Sequence, residues 1–166
     1  MTLYFLRHAI ARDRADWHMK DNDRPLTKEG LRKMRKIARG MKRLKLSFDW
    51  ILTSPYRRAY DTALIVADAF KARKKLRVLK SLSADGKPEV LVRHLALDYL
   101  TQDTLLLVGH EPYLSHLISI LVGAEDALAI DLKKGGLGKL SAHSLTYGRC
   151  ASLEWLLTPK FLRNVG

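Results

Sequence analysis

Two histidines and several arginines in this chain stand directly after short apolar runs, and that placement gives them chemical meaning. Leu3-Tyr4-Phe5-Leu6 runs into Arg7-His8, and Trp50-Ile51-Leu52-Thr53 leads through Ser54-Pro55 to Arg57-Arg58. Thr104-Leu105-Leu106-Leu107-Val108 ends at Gly109-His110. A short unbroken apolar run fits a strand buried on both faces, as in a parallel sheet. Open α/β sheets hold ligands outside the carboxyl ends of their strands. If these strands lie parallel and adjacent, two histidines and at least two arginines meet at one edge. So many cationic groups repel one another unless they share a dianion such as a phosphoryl group. A neutral imidazole can attack phosphorus to form a phosphohistidine. Arginines and the second histidine would stabilise the charge on the equatorial oxygens, where positioning and electrostatics supply most of the catalysis.

The elements that must position these groups are legible in outline. Ala9 to Arg24 is polar and aperiodic and reads as a loop, which at this length is often functional. Thr27 then caps a helix to Leu44, with Glu29 in its first turn and a Leu26–Leu31 staple. Leu31, Met34, Ile37, Ala38, Met41 and Leu44 form its apolar face, and Arg32, Lys33, Arg35, Lys36, Arg39, Lys42 and Arg43 a basic stripe opposite. Ser54 and Pro55 suit the N-cap and first position of a second helix, whose Arg58 falls near an anion-favouring N-terminus. Leu76 to Leu82 is a weaker strand, Pro88 starts a helix to Leu100, and Glu111-Pro112 opens another. Gly135, Gly136 and Gly138 read as a loop; the stretch lacks the G-x-x-x-x-G-K-[ST] pattern of a phosphate loop. Lys139–Tyr147 and Ala151–Leu157 read as a closing antiparallel hairpin at the sheet edge. Strands alternating with helices predict α/β architecture: a three-layer sandwich with a mostly parallel central sheet flanked by helices.

A length of 166 residues suits one domain spanning 1–166, and 47% hydrophobic with 28% charged residues excludes a disordered polar chain. Cys150 is the single cysteine, so no intrachain disulfide and no cysteine-rich metal site is expected. Arg7 interrupts the first apolar run before it reaches the length of a signal sequence, and nothing is long enough to span a bilayer. A cytoplasmic location is expected. Thirty Lys+Arg against 17 Asp+Glu give a formal net charge of +13, which favours anionic partners of some kind.

Four stretches resemble the motifs of one family. Leu6-Arg7-His8-Ala9 is similar to the Arg-His-Gly motif of the histidine phosphatase superfamily. Arg24-Pro25-Leu26-Thr27-Lys28-Glu29-Gly30 resembles its "RPLTxxG" segment, and Ser54-Pro55-Tyr56-Arg57-Arg58-Ala59-Tyr60-Asp61-Thr62-Ala63 its "SPxxRAxQTA" segment. Gly109-His110-Glu111-Pro112 resembles its "GHxP" motif. The short length and the ending Trp155-Leu156-Leu157-Thr158-Pro159-Lys160 are most similar to the phosphohistidine phosphatases of the SixA type. The resemblance implies the phosphoglycerate mutase-like fold, His8 as nucleophile, and Arg7, Arg58 and His110 as the phosphate pocket. Of the adjacent arginines, Arg58 and not Arg57 holds the motif position. Arg24 is implied as a substrate contact. Ala9 stands where the motif has glycine, so the backbone there is expected to differ slightly, and Asp61 replaces a glutamine. Where larger relatives carry an acidic proton donor this chain has Ser81; Asp85 is the nearest candidate acid, in what otherwise reads as an Asp-Gly turn.

The expected activity is hydrolysis of phosphoryl groups through a phosphohistidine on His8, without cofactor or metal. The expected partner is phosphate or a phosphohistidine-bearing protein such as a phosphotransfer domain, met by a monomer. A small-molecule phosphomonoesterase is the alternative within the same chemistry. A non-catalytic basic module binding phosphoproteins or nucleic acid is the rival class, but it gives no reason for histidines at strand ends, and nucleic acid is not the expected partner.

Overall fold

Every strand in the centre of this protein is apolar on both sides, and the pleat sends alternate residues into two separate cores. The computed structural model describes residues 1–101, 103–123 and 128–165. Its strands are β1 (Thr2–Arg7), β2 (Trp50–Thr53), β3 (Leu76–Val78), β4 (Thr104–Gly109), β5 (Leu137–Ala142) and β6 (Ala151–Leu157). Its α-helices are α1 (Lys28–Arg43), α2 (Arg57–Ala69), α3 (Pro88–Asp98), α4 (Tyr113–Gly123) and α5 (Pro159–Asn164). The strands form one sheet in the order β3-β2-β4-β1-β5-β6. The first four lie parallel to one another; β5 runs against β1, and β6 against β5.

Tyr4, Leu6, Ile51, Leu106 and Val108 face a core closed by α1, α2 and α5, through residues such as Met34, Ile37, Ala63, Val66 and Leu162. Leu3, Phe5, Leu52, Leu105 and Leu107 face the other core, closed by α3 and α4 through Leu91, Leu95, Leu114 and Leu117. This is the expected three-layer α/β sandwich. Among the described residues no helix is long and apolar enough to cross a membrane.

Thr27 caps α1 as expected, its Oγ1 accepting the Gly30 N–H at 2.9 Å. Gly30 itself is forced by close approach: a Cβ there would lie 2.0 Å from the Ile10 carbonyl oxygen. That carbonyl accepts the Thr27 N–H, and Arg12 N–H donates to Pro25 O, so the long loop after β1 is closed at its base. Its tip carries a short 3-10 turn, Asp21–Asp23.

Several boundaries differ from the sequence reading. The third strand stops at Val78, because Leu79 and Leu82 turn into the second core through a 3-10 turn at Lys80–Leu82. The second helix starts at Arg57 and not Pro55: Tyr56 stays extended, and Ser54 Oγ accepts the Tyr56 N–H from outside the helix. The helix after His110 begins at Tyr113, beyond a cis Glu111-Pro112 bond. The hairpin begins earlier than expected, at Leu137, and of its two strands only β6 lies at a sheet edge. Gly138 therefore lies within a strand and not a loop, opposite Phe5 and Leu156. Gly135, at φ +80°, turns the chain into that strand; its N–H donates to Arg7 O, and Gly136 O accepts the Arg7 N–H.

Candidate active site

The sheet's register aligns the carboxyl ends of its central strands. Arg7 pairs with Gly109 and Thr53 with Val108, so β1, β2 and β4 finish level. The ladder extends one residue past them, with His8 N–H donating to Gly109 O and Ser54 N–H to Val108 O. His8 and His110 are thereby placed side by side, ring centroids 5.3 Å apart, and Arg58 enters from the first turn of α2.

The His8 tautomer is defined by its partner: Nδ1–H donates to the Ala9 carbonyl at 2.8 Å, which leaves the lone pair on Nε2. Ser54 Oγ accepts the Tyr56 N–H and shares a second hydrogen bond with His110 Nε2 at 2.8 Å. Assigning the Ser54 proton to that bond leaves the His110 proton on Nδ1, which is buried and has no partner. Two arginine donors share that condition: Arg7 Nε and Arg58 Nε are buried and unpartnered. Buried donors are paired in most folds, so three unpaired ones on residues grouped about His8, which feels the charge of both arginines, mark a place for an anion. Arg7 is anchored by Nη1 donating to Leu132 O at 2.9 Å. Arg58 is held by Asp21, with Nη1 donating to its carbonyl at 2.8 Å and Nη2 to its carboxylate at 2.9 Å.

Burial above all pulls both histidines far below the ordinary 6.5, each to about 3; for His8 the hydrogen bond to Ala9 opposes this, and His110, Arg58 and Arg7 add to it. For His110 the largest after burial is Arg58, opposed by Asp21. Near neutral pH both imidazoles are therefore uncharged, and His8 is a free nucleophile. In the unfolded chain both titrate near 6.5 and take up protons that the fold excludes. Stability present above pH 6.5 is thus lost as pH falls toward 3. Thermal melts of the wild type should show Tm falling across this window, with a shallower slope in His110→Asn. Equal slopes would mean that His110 is not held neutral.

The remaining expected residues fall as follows. Arg57 is exposed and faces Asp61 at 3.7 Å, so of the two arginines only Arg58 enters the site. Arg24 donates from Nε to Asp21 Oδ1 at 3.0 Å and from Nη1 to Arg12 O at 2.6 Å, one step behind the pocket. Asp85 is exposed and accepts the Tyr56 O–H at 3.3 Å, on the wall of a groove of about 470 Å³ that also includes Asn22, Lys80 and Ser81. Ala9 fits without glycine. Its φ is not positive, its N–H donates to Thr62 Oγ1 at 3.0 Å, and its carbonyl anchors His8.

Residue patterns alone did not reveal Asp21, Ser54 as a partner of His110, Thr62 or Tyr56 as site residues. Tyr56 lies between the two halves of the site, its ring 5.0 Å from that of His110 and 5.1 Å from the Arg58 guanidinium carbon. The available signal was position: Ser54, Tyr56 and Thr62 all lie within the segment that carries Arg58.

The model of the histidine phosphatase superfamily (branch 1) matches residues 3–83. An uncharacterized protein of Picosynechococcus sp. is 37% identical over 165 residues, 98% of this chain and 99% of that protein. Phosphohistidine phosphatase SixA of Escherichia coli (strain K12) is 29% identical over 126 residues, 75% of this chain and 76% of that one. The solved structure of the protein histidine phosphatase SixA complexed with tungstate shares the fold. It superposes with a TM-score of 0.83 over 96% of this chain and 98% of that one, at 23% identity.

Proposed function

Because the chain belongs to the histidine phosphatase superfamily (branch 1) and is of the SixA type, we propose that it hydrolyses phosphohistidine on proteins through a phosphohistidine formed on its own His8. One observation carries this reading: a neutral His8 with its Nε2 lone pair free stands among unpartnered donors of Arg7, Arg58 and His110.

In the first step His8 Nε2 bonds to phosphorus as the bond to the leaving group breaks. Arg7 Nε–H, Arg58 Nε–H and His110 Nδ1–H donate to the phosphoryl oxygens, whose charge they are preorganised to hold. In the second step a water oxygen attacks the same phosphorus, the P–Nε2 bond breaks, and the water's protons remain with the phosphate and solvent. A substrate phosphoimidazole protonated on its second ring nitrogen departs as neutral imidazole. No side chain then has to deliver a proton when the P–N bond breaks, which accords with a site in which the candidate acid Asp85 is exposed and bonded to Tyr56 and the Asp21 carboxylate is held by Arg58 and Arg24. The groove that Tyr56 shares with Asp85 and Lys80 runs up to the ring that packs on His110, and a substrate protein surface would lie along it.

The test offers the protein two substrates, a phosphohistidine-bearing phosphotransfer domain and p-nitrophenyl phosphate. The expected result is a higher kcat/KM on the phosphohistidine, with Asp85→Asn leaving that turnover unchanged. Turnover of the phosphomonoester alone would replace the reading with a small-molecule phosphomonoesterase. Turnover of neither would leave a binding module.

A further inference from the structure

Arg58 reaches the site with both of its terminal nitrogens already in use. Nη1 donates to the Asp21 carbonyl at 2.8 Å and Nη2 to the Asp21 carboxylate at 2.9 Å, while Nε has no partner although it is buried. A guanidinium offers five N–H donors along distinct edges of one rigid plane. Here one residue holds the far end of that plane, and the Nε edge is the part left over. We propose that Asp21 is the positioning residue of Arg58: it clamps the end of the guanidinium and thereby presents the Nε edge to the phosphoryl oxygens.

The clamp is itself fixed. Asp21 lies in the short turn at the tip of the loop after β1, and its other carboxylate oxygen accepts Arg24 Nε–H at 3.0 Å. Arg24 in turn donates to Arg12 O across the base of the same loop. Burial alone pushes the Asp21 carboxyl up, but Arg58 and Arg24 outweigh it and hold the group below the ordinary range, so it is anionic near neutral pH. The Tyr56 ring, 5.1 Å from the guanidinium carbon, forms a second wall for Arg58. Arg24 thus serves the site at one remove, through Asp21 and then Arg58. Asp21 also supplies the negative charge that offsets the arginines before a phosphoryl group arrives. An unclamped arginine has several rotatable bonds, and would have to be ordered at the moment of binding.

This inference rests on the phosphatase reading, and its test keeps the two apart. Tungstate inhibition and steady-state kinetics on p-nitrophenyl phosphate are measured for wild type, Asp21→Ala, Asp21→Asn and Arg24→Ala, with Tm recorded for each. Wild type that is neither active nor tungstate-sensitive would sink the phosphatase reading. With an active wild type, Asp21→Ala should weaken tungstate by about ten- to a hundred-fold, as loss of a supporting contact does elsewhere. Asp21→Asn keeps an acceptor oxygen and should recover most of that loss, which a general structural defect would not allow. If Asp21→Ala does not fold, Arg24→Ala carries the same prediction in weaker form, a several-fold loss of tungstate affinity. Tungstate bound as tightly or more tightly by Asp21→Ala would make Asp21 a competitor for Arg58 and overturn the proposal. Equal impairment of Asp21→Asn and Asp21→Ala would overturn it as well.

Discussion

His8→Ala should abolish turnover, lowering kcat by about 10³-fold or more, while leaving oxyanion binding largely in place. The two effects separate because His8 contributes a lone pair and the surrounding residues contribute the charge. Its Nδ1–H is committed to the Ala9 carbonyl, so Nε2 is the only ring atom able to bond phosphorus. His110 does not take over, because its Nε2 is engaged with Ser54. Arg7, Arg58 and His110 keep their unpartnered donors in the variant, so tungstate should still bind to it. Steady-state kinetics with tungstate titration by calorimetry would check both halves. Activity in His8→Ala within a few-fold of wild type would contradict the nucleophile assignment.

Arg58→Ala has the second largest expected effect, a loss of about 10²–10³-fold in kcat/KM, the magnitude found when one preorganised donor to a developing oxyanion is removed. Arg58 is 4% exposed and its Nε has no partner, so the guanidinium acts in a water-poor setting where its hydrogen bonds to the transferring group are strong. Its removal also leaves the Asp21 carboxylate beside the pocket with only Arg24 to balance it, which repels a dianion. Arg57→Ala is the matched control. Arg57 is exposed and meets only Asp61 at 3.7 Å, a surface pair of little energetic consequence, so its loss should leave kinetics within about two-fold of wild type. Comparable losses in the two variants would mean that bulk positive charge, and not the placement of one guanidinium, drives catalysis.

The parts of this molecule legible in the sequence are those fixed by local physics. Leu3–Leu6 and Leu105–Val108 stand out because both faces of a central parallel strand are covered, so their runs contain no polar residue. Thr27 is recognisable as a cap because its hydroxyl acts within one helical turn. The meeting of His8, Arg58 and His110 at one edge is legible because a strand end is where a parallel sheet exposes chemistry. The failures have an equally physical basis. β3 is a short edge strand with two of its three residues exposed, which leaves little pattern to read. Ser54 carries a real capping signal, but the hydroxyl that accepts Tyr56 N–H also holds His110, and the helix starts later. Asp21 acts on a residue 37 positions away, and only the closed loop brings them together. Arg24 illustrates the limit of motif reading: its position near the pocket was evident, but its partner was not.

The covalent step on His8 is tested most directly by trapping it. Wild-type protein mixed with a phosphohistidine-bearing phosphotransfer domain is quenched in alkali within the first turnover, digested, and analysed by mass spectrometry. One phosphoryl group on the peptide containing His8, acid-labile and absent from His8→Ala, is the predicted result. Multiple turnovers with no phosphorylated peptide, or with the group on a residue other than His8, would contradict it.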